Sequence, residues 1–267
     1  MRNICLTVSY DGTNFCGWQR QDKSDGGKPV RTVQGEIEKV LEKIHKVPTA
    51  LVGSGRTDSG VHAVGQAANF LSPVDSIPAC KYVTALNSLL PDDIRITEAV
   101  EKDENFSSRF SATYRTYRYF IVPSNKALAS QMPYVWSIPH EPDIDRLNKM
   151  SSVLRGELDC ATFAASGDVS QSTKRYLYDA HFFYQDLFPE GRAIVFEIKA
   201  NAFLYRMVRS IVGSLIYFEK NGMDENGFRK VLESCDRSKA GPTAPSQGLF
   251  LYEVGFDGER KTGPKKD

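Results

Sequence analysis

The sequence predicts an α+β protein built from two ferredoxin-like (βαββαβ) halves, with antiparallel sheets side by side and helices on one face. Two observations carry this. Apolar residues switch between a period of two and a period of 3.6 in the order β, α, β, β, α, β through the first half, and a similar order recurs through the second. The halves are expected at 1–105 and 106–267, because charge and serine interrupt the pattern from Glu101 to Ser108. A chain of 267 residues, 41% hydrophobic and 25% charged, is long enough to bury a core in each. No residue-level repeat accompanies the pattern, so the duplication rests on element order alone.

Each element follows from local chemistry. Ile4, Leu6, Val8 and Tyr10 alternate with smaller or polar residues and predict a strand. Val33, Ile37, Val40, Leu41 and Ile44 recur at helical spacing behind Thr32, a residue suited to the N-cap. Thr49 to Ser54 and Val64 to Leu71 read as two strands, Pro78 opens a helix running to Leu89, and Ile94 to Val100 reads as a strand. In the second half, Ala112 to Val122 is a strand rich in Tyr, Ile and Val, and Asp143 to Leu154 a helix. Tyr176 to Tyr184 and Ala193 to Ala200 are strands separated by the turn Pro189-Glu190-Gly191. An apolar helix is expected to start near Ala202, capped by Asn201, with Phe203, Met207, Ile211 and Leu215 on one stripe and an end near Gly222. A further short helix and the strand Leu249 to Phe256 complete the unit.

Composition excludes several classes. Five scattered cysteines, odd in number and never spaced as a pair, suggest neither a disulfide framework nor a zinc site, which favours a reducing cytoplasm. The absence of a leader pattern or a bilayer-length apolar run argues against export and membrane insertion. The net charge of +1 is uninformative by itself; a dedicated nucleic-acid binder usually carries a visible basic excess, so any polyanion site has to come from local clustering of the 34 Lys and Arg.

Chemistry concentrates in three places. Gly55 to Ala63 is too polar for core yet flanked by apolar runs; it places Asp58 in a connection between two strands, with Arg56 and His62 close by. An aspartate between glycines is also an ordinary turn residue, and the tripeptide alone favours that reading. In Tyr114 to Tyr119, aromatics interleave with cations, and period two sends Arg115, Tyr117 and Tyr119 to one face. That face is either a sheet edge or a surface that stacks bases and contacts phosphates. Arg206 and Arg209 lie three apart in the apolar helix, and Arg209, between Val208 and Ile211, needs a partner, expected to be a carboxylate in either a structural or a functional ion pair.

Four separated motifs then resemble the tRNA pseudouridine synthase A (TruA) family: Gly55-Arg-Thr-Asp-Ser-Gly-Val-His-Ala63, Phe110 to Tyr119, Lys199 to Gly213 and Gly248-Leu-Phe-Leu251. The resemblance begins at Tyr10-Asp-Gly-Thr-Asn-Phe-Cys-Gly-Trp-Gln19 and spans nearly the whole chain. It implies an isomerase that converts uridine to pseudouridine at positions 38, 39 and 40 in the anticodon stem-loop of tRNA. It further implies no cofactor and no metal, and a homodimer laying tRNA across both subunits. By resemblance Asp58 is the catalytic residue, attacking or deprotonating the sugar at C1′ or C2′, or adding to uracil C6. Arg209 is the cation that ionises it. Tyr117 packs against the target base, Arg56 assists base flipping, and His62, Gln66 and Arg206 support the site, with RNA expected in a cleft between the halves.

Two segments depart from the family pattern. Lys23 to Arg31 reads as a lengthened loop, either solvated or touching RNA, and the tail from Arg260 to Asp267 as a basic, phosphate-seeking end. The competing readings are an Asp-dependent nucleic-acid hydrolase, against which the lack of a clear second acid counts, and a noncatalytic RNA-binding module.

Overall fold

The computed structural model describes residues 1–21 and 30–261. The strands are β1 (Arg2–Tyr10), β2 (Val52–Gly53), β3 (His62–Ser72), β4 (Ile94–Lys102), β5 (Tyr114–Pro123), β6 (Trp136–Ile138), β7 (Gly156–Asp159), β8 (Lys174–Asp186), β9 (Arg192–Ala200) and β10 (Leu249–Gly255). The α-helices are α1 (Val33–His45), α2 (Lys81–Asn87), α3 (Ile144–Ser151), α4 (Met207–Lys220) and α5 (Glu225–Glu233). The chain divides into two units, one of residues 1–112 with 250–257 and one of residues 113–249 with 258–267. The loop expected from Lys23 to Arg31 and the basic tail lie mostly outside the described residues; of the former, Arg31 grips Asp93 through both terminal nitrogens at 2.6 and 2.8 Å.

In the first unit β4, β1, β3 and β2 form an antiparallel sheet in that order, and β10 runs parallel to β3 where Phe250 faces His62. Ile4, Leu6 and Val8 are fully buried on β1, as their alternation requires. Thr32 caps α1, its hydroxyl accepting from the Gly35 N–H at 3.3 Å, and Val33, Ile37 and Leu41 bury completely. Helix α2 is shorter than the expected Pro78–Leu89 because its start is a series of tight turns, with Lys81 N–H bonded to Pro78 O and Tyr82 N–H to Ala79 O.

The expected strand from Thr49 to Ser54 shrinks to Val52–Gly53. The cause is a buried carboxylate: Glu38 of α1 accepts the Leu51 N–H at 2.9 Å, while the Gln34 amide donates to Leu51 O at 2.9 Å. Both backbone groups of Leu51 are thus spent on helix side chains instead of a ladder.

In the second unit β5, β9, β8 and β7 form an antiparallel sheet in that order, and β6 adds to β5 in parallel. Asp143 caps α3 by accepting from the Asp145 and Arg146 N–H groups, and Asp224 caps α5. The strands β6 and β7 carry too few apolar residues to be read from period two, and neither was expected.

Helix α4 corrects two expectations. It starts at Met207, so Phe203 is outside it, and Asn201 is no cap. Asn201 instead accepts the Tyr176 N–H at 3.1 Å and donates to Lys261 O at 2.6 Å, which commits it to the sheet end. Arg206 takes the cap position in the left-handed region with φ 56°, so it precedes the helix that carries Arg209 instead of lying within it. All five cysteines are free, with Cys5 and Cys160 buried, and no helix among the described residues is long and apolar enough to cross a membrane.

Candidate active site

The loop carrying Asp58 leaves β2 and enters β3, and its base is closed by Gln66. That fully buried amide accepts from the Ser54 hydroxyl at 2.6 Å and the Ala67 N–H at 3.1 Å, and donates to Gly55 O at 2.9 Å. A buried amide that satisfies three groups at the mouth of a loop fixes where the loop departs from the sheet.

The far side of the loop rests on the segment after β1. Trp18 donates its backbone N–H to Thr57 O at 3.2 Å, Gly60 N–H and the Ser59 hydroxyl both reach Phe15 O, and Tyr10 bonds Thr57 through their hydroxyls at 2.8 Å. The approach is too close for side chains. A Cβ on Gly17 would lie 2.6 Å from Thr57 O, at a residue already in the glycine region with φ 95°, and one on Gly12 would lie 2.0 Å from Val61 O. The indole of Trp18, 1% exposed, occupies the space a Gly53 side chain would need.

Within this frame Thr57 is buried, Asp58 half-buried, and Arg56 and Ser59 exposed. His62, 1% exposed, stacks on Phe250 with ring centroids 4.5 Å apart and accepts the Gly12 N–H at Nδ1 at 3.0 Å. Asp11 Oδ1, which accepts the Thr13 N–H, lies 3.2 Å from the same nitrogen.

The second unit carries the other residues. On β5, Arg115, Tyr117 and Tyr119 are all buried, and so is Thr116 between them, so this stretch is not an exposed sheet edge; Tyr117 meets Phe203 edge-on at 5.0 Å. Burial pushes the Arg115 guanidinium down to about 10, opposed by the nearby Tyr117, and Nη1 donates to Asn201 O at 2.9 Å. Burial also pushes the Tyr119 phenol well up, and its hydroxyl donates to Pro245 O at 2.8 Å.

Arg209 lies in the first turn of α4, half-buried, and donates from Nε to Ala244 O at 2.8 Å, while Ala244 N–H returns to Arg209 O at 3.0 Å. The segment from Gly241 to Ala244 crosses α4 so closely that a Cβ on Gly213 would lie 1.9 Å from Pro242 O. Before the helix, Tyr205 is exposed, its N–H held by the Asp168 carboxylate and its carbonyl by the Ala165 N–H, and the Arg206 guanidinium sits 4.8 Å from the Tyr205 ring centre.

The structure therefore gathers Arg56, Asp58, His62 and Gln66 around one loop, and Tyr117, Arg206 and Arg209 around β5 and the start of α4. Sequence reasoning missed the residues that shape these groups: Gly12, Gly17 and Trp18 under the loop, and Gly241 to Ala244 over α4. The signal available was glycine at positions 12 and 17 with no turn to explain both. Among the described residues, no group of three His, Cys, Asp or Glu converges to hold a metal.

A family model described as tRNA pseudouridine synthase matches residues 6–111 and 150–257. The chain is 52% identical over 255 residues to tRNA pseudouridine synthase A of Treponema denticola, covering 96% of this chain and 93% of that protein. It is 50% identical to the protein of that name from Treponema pallidum, over 91% of this chain and 84% of that one. With its namesake from Caldicellulosiruptor saccharolyticus it shares 41% identity over 95% of this chain and 99% of the other.

Proposed function

Since the chain belongs to the tRNA pseudouridine synthase family and isomerises uridine to pseudouridine in tRNA, we propose that Asp58 is the group that starts the reaction. The observation that supports this is the cradle beneath it: two backbone hydrogen bonds, two hydroxyl contacts and two glycines hold the loop, yet the carboxylate side chain stays half-exposed. Rigid backing with an accessible charge is what a positioned nucleophile or base needs.

The balance is internal. The bond from N1 to C1′ breaks, the uracil turns, C5 bonds to C1′, the C5 proton leaves to water and N1 gains one; no co-reactant is consumed. In this reading Tyr117 packs against the flipped uracil and Arg209 supplies the cation that serves the reaction. Arg56, exposed two residues before Asp58, contacts the phosphate or the vacated space, while His62, Gln66 and Arg206 support the site. We further propose that the two units are variations on one βαββαβ plan, and that the enzyme acts in the cytoplasm as a homodimer on positions 38, 39 and 40. The antiparallel order β4-β1-β3-β2 in the first unit supports the former.

The test is release of tritium from tRNA labelled at uridine C5. The wild-type protein is expected to release it while leaving the chain intact, and Asp58→Ala to bind tRNA without release. Fragments or abasic sites would instead mark a hydrolase, and release at near wild-type rate by Asp58→Ala would remove Asp58 from the mechanism.

A further inference from the structure

Arg206 is one of three described residues other than glycine with a positive φ, and it occupies that conformation immediately before the helix that carries Arg209. A Cβ-bearing residue in the left-handed region is strained, and glycine would adopt it at no steric cost. Strain of this kind persists where surrounding structure enforces it, and here both sides of the Tyr205 peptide are enforced: Asp168 takes the N–H and Ala165 the carbonyl. The result is an aromatic side chain that is 40% exposed with a guanidinium stacked on it. Two residues upstream, Phe203 touches Tyr117.

We propose that the Tyr205–Arg206 turn is an RNA contact, in which Tyr205 stacks on an unpaired nucleotide flanking the target uridine and Arg206 engages its phosphate. An exposed tyrosine on a pinned peptide loses little entropy on binding, and a base offers it a face of matching size. Arg206 supplies a planar cation whose fork matches phosphate oxygens. Glycine would meet the backbone demand at that φ, whereas a phosphate contact needs a cationic side chain. The proposal takes tRNA as the substrate but does not depend on which residue performs the chemistry.

The test compares Tyr205→Ala, Tyr205→Phe, Arg206→Ala and Arg206→Gly in the full-length protein, measuring kcat, KM for tRNA and Tm. Tyr205→Ala is expected to raise KM roughly tenfold, the scale of one lost base stack, with kcat within about twofold. Tyr205→Phe is expected to keep the wild-type KM, because the ring is retained. Arg206→Gly is the decisive variant: it removes the strain with the guanidinium, so Tm should hold or rise while KM increases, and Arg206→Ala should raise KM to the same extent. An unchanged KM in Tyr205→Ala and Arg206→Gly would overturn the proposal, as would a KM that rises only in step with a falling Tm. Failure of the Asp58 assignment would appear as residual release by Asp58→Ala and would leave these KM values untouched.

Discussion

Trp18 and Thr57 are joined by a backbone hydrogen bond of 3.2 Å, so the segment that leaves the first strand directly supports the residue before Asp58. The bond sits between two glycine contacts: Gly17 lies under Thr57 and Asp58, and Gly53 lies against the Trp18 indole. The position of the candidate catalytic carboxylate is therefore set by residues about forty positions away in sequence, through backbone approach that side chains would block.

Gly17→Ala is expected to destabilise the protein by about 1–3 kcal/mol, since alanine would be strained at φ 95° and would press on Thr57 O. It should also lower kcat by more than tenfold at saturating tRNA, because a small displacement of a reacting group carries a large penalty. Gly55→Ala is the matched control: a Cβ there meets nothing within 4 Å. Thermal unfolding and tritium release measure both; equal effects at the two positions would dismiss the cradle.

Arg209→Lys preserves the charge but loses the Nε donor to Ala244 O. The loss should cost about 1–2 kcal/mol in denaturant unfolding, the typical consequence of leaving a partly buried acceptor unpaired. Arg209→Met should cost a similar amount of stability and lower kcat well below that of Arg209→Lys, because it also removes the cation assigned to the reaction. Equal kcat values in the two variants would show that the charge at this position does not matter to the reaction.

Stability should depend on pH through His45. Its Nδ1 bonds Thr49 at 2.8 Å, its Nε2 bonds the Tyr82 hydroxyl at 2.8 Å, and that hydroxyl bonds Ser72 at 2.7 Å. Burial lowers the His45 pKa from its ordinary value of 6.5. The folded protein therefore binds this proton less readily than the unfolded chain, so the contribution is present above about pH 6.5 and is lost as the pH falls through the folded-state value. Urea midpoints between pH 8 and pH 5 should fall accordingly, and His45→Gln should flatten that slope. A slope unchanged in His45→Gln would assign the dependence to other groups.

Much of the fold was legible because local chemistry and tertiary demand agreed. Thr32 was readable as a cap because its hydroxyl bonds only three residues ahead, and β1 was readable because one face of it is fully buried. Reading failed where a distant group captured the backbone or a side chain. Asn201 looked like a cap and is held by Tyr176 and Lys261; Leu51 looked like strand and is held by Glu38 and Gln34. The apolar spacing through Phe203 continued the helical pattern backwards, but Phe203 packs on Tyr117 and the chain turns at Arg206 before the helix begins.

The sequence by itself determined the α+β class, most of the elements, the family resemblance and the identity of the candidate residues, since composition, periodicity and motif spacing are local properties of the chain. Only the tertiary structure decided how those residues are held. That Gly12 and Gly17 lie beneath the Asp58 loop, that His62 accepts the Gly12 N–H, and that Arg206 stands outside the helix in a strained conformation all depend on contacts between remote segments. The physical reason is that a close backbone approach or a captured hydrogen-bonding group is a property of two segments at once, and each looks ordinary alone.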